Sequence, residues 1–376
     1  MLLSTRSRQR SLESFDPSLF LGLAGLGLLG SFIIYSATRT QMAVAGLNPH
    51  YYFERQFAFV IIGIVIMYAV SRLDVHHIEL LATPIYVCSF LSLAGVFVLG
   101  SSALGAQRWY NFGIIQIQPS EFTVLAIIAA VSTFCNRRSE GLRMYDISRL
   151  LVMALAPIGL IVLQPDLGTS IIILVTLVGM MVIAGVPPRL MTALGVVGIA
   201  SVIFAVYFDI LQKYQVDRFI SFVNQNSSNP NIQSLVYEVA NAKTAIGAGG
   251  WFGQGAFHGL QTTLGYVPEQ STDFIFTAVG EQFGLIGSVA LLLVFGFVAS
   301  RMWLAGRRSR DVMGRVMCIG VFSFFAFSCF ENIGMTMGIT PVTGIPLPLI
   351  SYGGSAVLVF YIAGGLVLGA SRRARQ

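Results

Sequence analysis

The chain has 376 residues, of which 55% are hydrophobic and 11% charged, with 23 Lys and Arg against 17 Asp and Glu. So little charge on so apolar a chain excludes a soluble protein and points to one that crosses a membrane many times. The net charge of +6 describes orientation in that membrane rather than nucleic-acid binding, because the cations gather on one side of the apolar runs.

Ten runs are long enough, or nearly so, to cross as helices: 18–37, 56–70, 78–100, 119–135, 150–163, 169–185, 190–208, 273–299, 312–335 and 346–370. With the amino terminus inside, 17 of the 23 Lys and Arg fall in cytoplasmic segments and 6 outside, the asymmetry expected of inner loops. The expected fold is therefore all-α, a polytopic membrane protein in one domain, 1–376, with both termini cytoplasmic and one large extracytoplasmic loop at about 209–272. The basic start, with Arg6, Arg8 and Arg10, runs into a full-length span without a small-residue cleavage pattern, so it is expected to be retained. Cys88, Cys135, Cys318 and Cys329 fall within spans or at an inner end with no paired spacing, as packing residues do.

The first three spans are poor in ionisable residues and read as scaffold. His76 and His77, in the first inner hairpin, are adjacent and so do not share a helix face; a solvated loop is expected there, not a metal pair. In the outer loop that follows, Arg108 stands beside Trp109 and Tyr110 as an interfacial anchor. Gln118, Pro119, Ser120 and Glu121 then open the fourth span with ordinary amino-terminal chemistry. Asp166, in the tight outer turn 164–169, is placed to initiate the sixth helix, on the same side of the membrane as Glu121 and Asp273.

The long outer segment begins with a polar linker at 224–231. Ile232, Leu235, Val236 and Val239 follow at the spacing of an amphipathic helix lying at the outer surface or against the bundle. Residues 247–259 hold six glycines in thirteen; they could admit a phosphate to backbone N–H groups, but they lack Walker spacing and read as flexible. Asp273 stands at the threshold of the eighth span, where it could serve as an N-cap, with Glu281 about 12 Å further along the axis. Two carboxylates near bilayer depth on one helix need partners, water or a function. Glu331 adds another acid near the outer end of the ninth span, and the Gly and Pro of 331–356 imply broken helix ends lining a cavity. Glu121, Asp166, Asp273 and Glu331 thus gather on the outer side. Asp273, bordered by Phe274 and Phe276, is expected to be partly desolvated, with a raised pKa that suits a general base.

The segments GAQRW, QPSE, QPDLGT, the glycine-rich loop, PEQSTDFIF and PLPLISYGGSA together resemble the SEDS family of bacterial cell-wall proteins, over Gly105 to Ala356, 252 of 376 residues. NIGM followed by PVTGIPLPLISYGGSA resembles the family's elongation branch more than its division branch. The resemblance implies a multi-pass protein of the bacterial cytoplasmic membrane that polymerises lipid II into glycan and releases undecaprenyl diphosphate. It places the family's essential aspartate on Asp273 and its QPSE glutamate on Glu121, which makes these two the expected catalytic residues, and it implies a class B penicillin-binding transpeptidase as partner.

The leaving diphosphate needs positive charge. Arg108, Arg218 and Lys243 are outer cations able to meet it, Asp166 and Glu331 would complete the substrate side, and a divalent cation (Mg2+ or Mn2+) held by the acids could assist. Two positions depart from the family pattern: a common lysine is Val124, and a frequent cation of the glycine-rich loop is Gln254. Glu121 therefore needs another partner, either hydrogen bonds or a loop cation such as Lys243. A lipid flippase or secondary transporter, a division-type polymerase and a recruiting scaffold remain the alternative readings.

Overall fold

The structure, a computed structural model, describes residues 15–374 except 104, 105, 114, 115, 139, 140, 209–212, 226, 228, 230 and 231. Arg6, Arg8, Arg10, Gly105, Asn231 and Arg375 consequently lie outside the described residues. Each expected span has its helix: α1 (Pro17–Val44), α2 (Tyr51–Ser71), α3 (Val75–Leu99), α4 (Pro119–Asn136), α5 (Met144–Leu163), α6 (Leu167–Ile183) and α7 (Pro188–Tyr207). The outer segment adds α8 (Lys213–Val223), α9 (Gln233–Ala248) and the short α10 (Leu260–Leu264), before α11 (Ile275–Arg308), α12 (Val312–Met337) and α13 (Gly354–Ala374). Among the described residues eight of these helices are long and apolar enough to cross a membrane, and α6 and α7 are shorter apolar helices. The fold is that of a polytopic all-α membrane protein.

Helices α4, α12 and α13 are buried on most sides and form the centre, whereas α2 and α3 turn most of their surface outward. Helices apolar all round suit both places, which is why amphipathic periodicity says little about who packs against whom here. The outer loop after α3 forms a small antiparallel sheet, with strands β1 (Ser101–Ala103), β2 (Ala106–Asn111) and β3 (Gln116–Ile117) in that order. Trp109 pairs with Ser101 and Tyr110 with Ile117. In α9, Val239, Ala242 and Ala245 are buried against α11 and α12, as the spacing of its apolar residues requires.

Two boundaries differ from expectation. The last helix begins at Gly354, not near 346, because Pro346 and Pro348 cannot supply helical N–H donors; the segment before it is held instead by side chains. Gln56, wholly buried on α2, donates to the Ser351 carbonyl at 3.1 Å. The second difference concerns α11. Its N-cap is Phe274, which makes no capping bond, so Asp273 does not cap this helix.

Helix α11 is broken at Gly284, whose backbone lies at φ 65° and ψ −162°. A break within a membrane-spanning helix strands amides and carbonyls that lipid cannot satisfy. The glycine-rich loop supplies the missing partners. The N–H groups of Gln254 and Gly255 donate to the carbonyls of Glu281 and Gln282 at 2.9 and 3.0 Å, and the N–H groups of Leu285 and Ile286 donate to the carbonyls of Gly250 and Trp251 at 2.9 and 3.2 Å. This loop is a fixed backbone plug rather than the flexible segment its composition suggests.

Glu281, fully buried, completes the join. Its carboxylate accepts from the Gln261 N–H (2.6 Å), the Thr262 N–H (2.9 Å) and the Thr262 hydroxyl (2.6 Å), so the deeper acid of α11 anchors α10.

The plug needs Gly249 because a Cβ there would collide with the Gly280 carbonyl, whereas a Cβ at Gly247, two residues earlier on α9, meets nothing within 4 Å. Gly249→Ala is expected to destabilise by about 1–3 kcal/mol, and Gly247→Ala to be neutral or stabilising by up to about 1 kcal/mol. Reversible unfolding in mixed micelles measures both, and equal effects would contradict the plug.

Candidate active site at the outer end of the bundle

Asp273 sits just ahead of α11, fixed through its backbone rather than its side chain. Its N–H donates to the Glu269 carbonyl at 3.0 Å. Its carbonyl accepts from Asn332 Nδ2 on α12 at 2.7 Å, and the same amide donates to the Ile345 carbonyl at 2.8 Å. Asn332 therefore ties together the start of α11, its own helix and the loop ahead of α13. In the sequence Asn332 figured only as the first residue of the NIGM likeness; the signal of this role was a carboxamide inside a membrane helix, where an unpaired polar group is costly.

The Asp273 carboxylate itself receives no side-chain hydrogen bond among the described residues. Gly344, at φ 75°, allows the loop to pass close by, since a Cβ there would lie 3.2 Å from Asp273 Oδ2. Burial pushes the Asp273 pKa up to about 6; the charge on Glu269 adds to the rise, Arg218 opposes it, and Glu238 and Arg108 act more weakly in opposite senses. The desolvation expected from Phe274 and Phe276 is present, as both rings are buried.

Two guanidinium groups on separate elements act on the charge of this carboxylate, Arg218 more strongly than Arg108. Arg218, on α8, donates to the Thr343 carbonyl at 3.0 Å. Burial, then the like charge of Arg108, lowers its pKa, while Tyr214, Asp273 and Asp166 favour the charged form. Arg108, on β2, donates through Nε to the Gln164 carbonyl at 2.9 Å and through a second nitrogen to the Pro165 carbonyl. The Tyr214 hydroxyl shares that acceptor at 2.6 Å, so the turn at 164–166 joins the sheet to α8. Glu238, on α9, has a raised pKa from burial, countered by Arg218.

The other expected site residues divide by how their oxygens are used. Asp166 caps α6, accepting from the Thr169 N–H at 3.2 Å, and its Oδ2 also takes Gln118 Nε2 (2.9 Å), Ser120 Oγ (3.0 Å) and Thr169 Oγ1 (2.9 Å). With three donors on Oδ2 and one on Oδ1 it is committed to the structure, joining the starts of α4 and α6. Glu331 is buried, with Oε1 accepting from Thr343 Oγ1 at 3.1 Å, so it holds the segment whose carbonyl receives Arg218.

Glu121, in the first turn of α4, has Ser355 of α13 against its carboxylate and Asp166 nearby, and its buried Oε2 has no partner among the described residues. Val124, three residues on, is buried at 1% exposure and supplies no cation. Nor does Lys243. It lies exposed beside Gly338 and donates to Gln225 Oε1, so the expected pairing of Lys243 with Glu121 is not formed.

Among the described residues the site thus offers in Asp273 a desolvated carboxylate with no hydrogen bond, able to take a proton, and two cations able to receive an anion. That pairing suits transfer of a group away from an anionic leaving group. Asp166→Ala tests the structural half of this division. Loss of the cap and of its side-chain bonds is expected to destabilise by about 2–4 kcal/mol, read by reversible unfolding in mixed micelles; an unchanged protein would show that the acid is not the joint described.

The sequence profile of the family named for FtsW, RodA and SpoVE, described as cell cycle protein, matches residues 17–376. The peptidoglycan glycosyltransferase MrdB of Escherichia coli K12 is 33% identical over 354 residues, covering 94% of this chain and 92% of that protein. The probable peptidoglycan glycosyltransferase FtsW of Trichlorobacter lovleyi is 30% identical over 364 residues, covering 96% and 94%. Among solved structures, a chain of a peptidoglycan synthase complex, studied for how polymerization and crosslinking are coordinated, superposes with a TM-score of 0.80 at 26% identity, covering 96% of this chain and 99% of that one. The rod shape determining protein RodA of Thermus thermophilus superposes with a TM-score of 0.70 at 26% identity, covering 96% and 98%.

Proposed function

We propose, from the premise that the chain belongs to the FtsW, RodA and SpoVE family, that it is a peptidoglycan glycosyltransferase of the rod-shape type, working at the outer face of a bacterial cytoplasmic membrane. The relatives named for this activity match along nearly their whole length, which supports the reaction class. The observation that carries the site assignment is the Asp273 carboxylate, free of side-chain hydrogen bonds among the described residues, with a pKa of about 6 and with Arg218 and Arg108 acting on it.

The substrate in this reading is lipid II, as both donor and acceptor. A sugar hydroxyl of one lipid-linked disaccharide attacks the anomeric carbon of another. The bond from that carbon to the diphosphate oxygen breaks, and undecaprenyl diphosphate leaves with the electron pair. Asp273 takes the hydroxyl proton as the new glycosidic bond forms. With a pKa of about 6 it is mostly ionised near neutrality yet basic enough to hold the proton, the compromise a general base requires. Arg218 and Arg108 meet the charge that grows on the diphosphate, in a part-buried setting where such interactions are strong.

Glu121 takes a supporting place in this reading, through Ser355 rather than through a cation. Lys243, beside Gln225, guards the edge of the outer segment rather than the reacting atoms.

Among the described residues, no three His, Cys, Asp or Glu side chains converge so as to hold a metal by themselves. A dedicated protein cage for Mg2+ or Mn2+ is therefore not part of the proposal. A partner that crosslinks the new strands is expected, supported by the similarity to a chain from a complex that coordinates polymerization with crosslinking; we take it to be a class B penicillin-binding transpeptidase.

Asp273→Asn keeps the size of the side chain but cannot accept the proton. Polymerisation of labelled lipid II by detergent-solubilised protein is expected to fall by about 100-fold or more, with lipid II binding little changed. Equal polymer from both proteins would remove Asp273 from the mechanism. No polymer from either, with the transpeptidase supplied, would move the function to lipid transport, since no leaflet is crossed in detergent.

A further inference from the structure

The inner end of the bundle carries a groove far in sequence from the outer site. Between the end of α4 and the first half of α5, a cavity of about 500 Å3 is lined by Phe134, Tyr145, Ser148, Arg149, Val152 and Met153. It is an open groove on the outside of the bundle rather than an enclosed pocket, with Tyr145 and Val152 largely exposed. All but Phe134 come from α5, at positions three and four apart, so they form one stripe of that helix. The stripe is graded along the axis. Tyr145, Ser148 and Arg149 come first, and Val152 and Met153 follow about one turn deeper.

The charges around this groove are not answered alike. Arg137 Nε lies 3.1 Å from Glu79 Oε1, and Arg138 Nε lies 3.2 Å from Asp146 Oδ1. Arg149 has no carboxylate partner among the described residues. Its guanidinium donates to the Tyr145 hydroxyl at 2.8 Å and lies over that ring, 4.2 Å from the centroid. The aromatic contact orients the cation without neutralising it.

Arg149 is five residues beyond Met144, about 7 Å along the helix, in the loop-to-span region that the distribution of arginines assigns to the cytoplasmic face. A cation oriented at headgroup depth, with no carboxylate partner among the described residues and with an exposed apolar stripe running deeper beside it, matches the charge and shape of a phosphate carrying acyl chains. Basic pockets between helices on the cytoplasmic side bind anionic lipid headgroups for this reason.

We propose that this groove binds an anionic phospholipid of the inner leaflet, with its phosphate on Arg149 and an acyl chain along Val152, Met153 and Phe134. The site is separate from the polymerase centre and does not rest on that reading. A lipid held there would brace α5 against α4, the helix that carries Glu121 at its other end.

The test is native mass spectrometry of the full chain released from nanodiscs of equal phosphatidylethanolamine and phosphatidylglycerol. The wild type is expected to retain phosphatidylglycerol in preference, and Arg149→Gln to lose that preference by about fivefold or more. Arg137→Gln, which removes the same charge from a neighbouring ion pair, should retain it. If Arg149→Gln does not accumulate, Val152→Trp fills the groove with Arg149 in place and should also release the lipid. Equal retention of the two lipids by the wild type would overturn the proposal, as would an undiminished preference in either groove variant. Displacement of the adduct by millimolar inorganic phosphate would also overturn it, because it would mark a phosphate site that ignores the chains.

Discussion

Backbone groups inside a bilayer have no water to fall back on, and the whole outer half of this protein is arranged around one place where that constraint is met by another segment. At Gly284 helix α11 stops following helical geometry, and the loop that includes Gly250, Trp251, Gln254 and Gly255 takes over the bonds that the helix gives up. The break sets apart a short outer piece, Ile275 to Phe283, from the longer inner piece. Asp273 stands immediately ahead of the outer piece and Glu281 lies within it. The position of Asp273 is thus fixed by main-chain bonds across the break together with two side chains, Asn332 on its carbonyl and Glu281 on α10.

The acids of the outer half differ in how far a low-dielectric setting commits them to hydrogen bonds. Burying a carboxylate is costly unless donors meet its oxygens. Glu281 has three donors and Asp166 has four, and each joins two segments of chain. Asp273 has none from side chains among the described residues, and what it has instead is a field: two other acids that raise its proton affinity and two arginines that restrain the rise. Those arginines act on the acid without a direct ion pair among the described residues, which in the proposed reaction leaves both for the substrate. Arg218 and Arg108 are held by main-chain carbonyls, which orient the guanidinium groups without cancelling their charge.

Much of the fold was readable because membrane helices announce themselves by length and composition, and the arginines by side. Asp166 was recognisable as a cap from its place before Leu167, and the packed face of α9 from the spacing of Ile232, Leu235, Val236 and Val239. The glycine-rich loop was not readable. Its glycines are required by a main chain some thirty residues away, and composition alone cannot tell a close approach from flexibility. The same holds for the strands β1 to β3, too short for an alternating pattern to register, and for Lys243, whose partner Gln225 comes from a linker with no periodicity. The family resemblance singles out Asp273 as the expected reactive acid, but not its anchoring by Asn332, since the NIGM segment that Asn332 opens was informative only as a likeness.

The central claim is that Asp273 works as a base whose proton affinity is set by burial and by its charged neighbours. The pH dependence of polymerisation by purified protein on saturating lipid II tests it most directly. With a pKa pushed up to about 6, the ionised form is lost as pH falls through that value, so the rate should hold between pH 7 and 8 and decline by about tenfold per unit below about pH 6. A rate that stays level down to the ordinary carboxylate range, near about pH 4, would contradict the account.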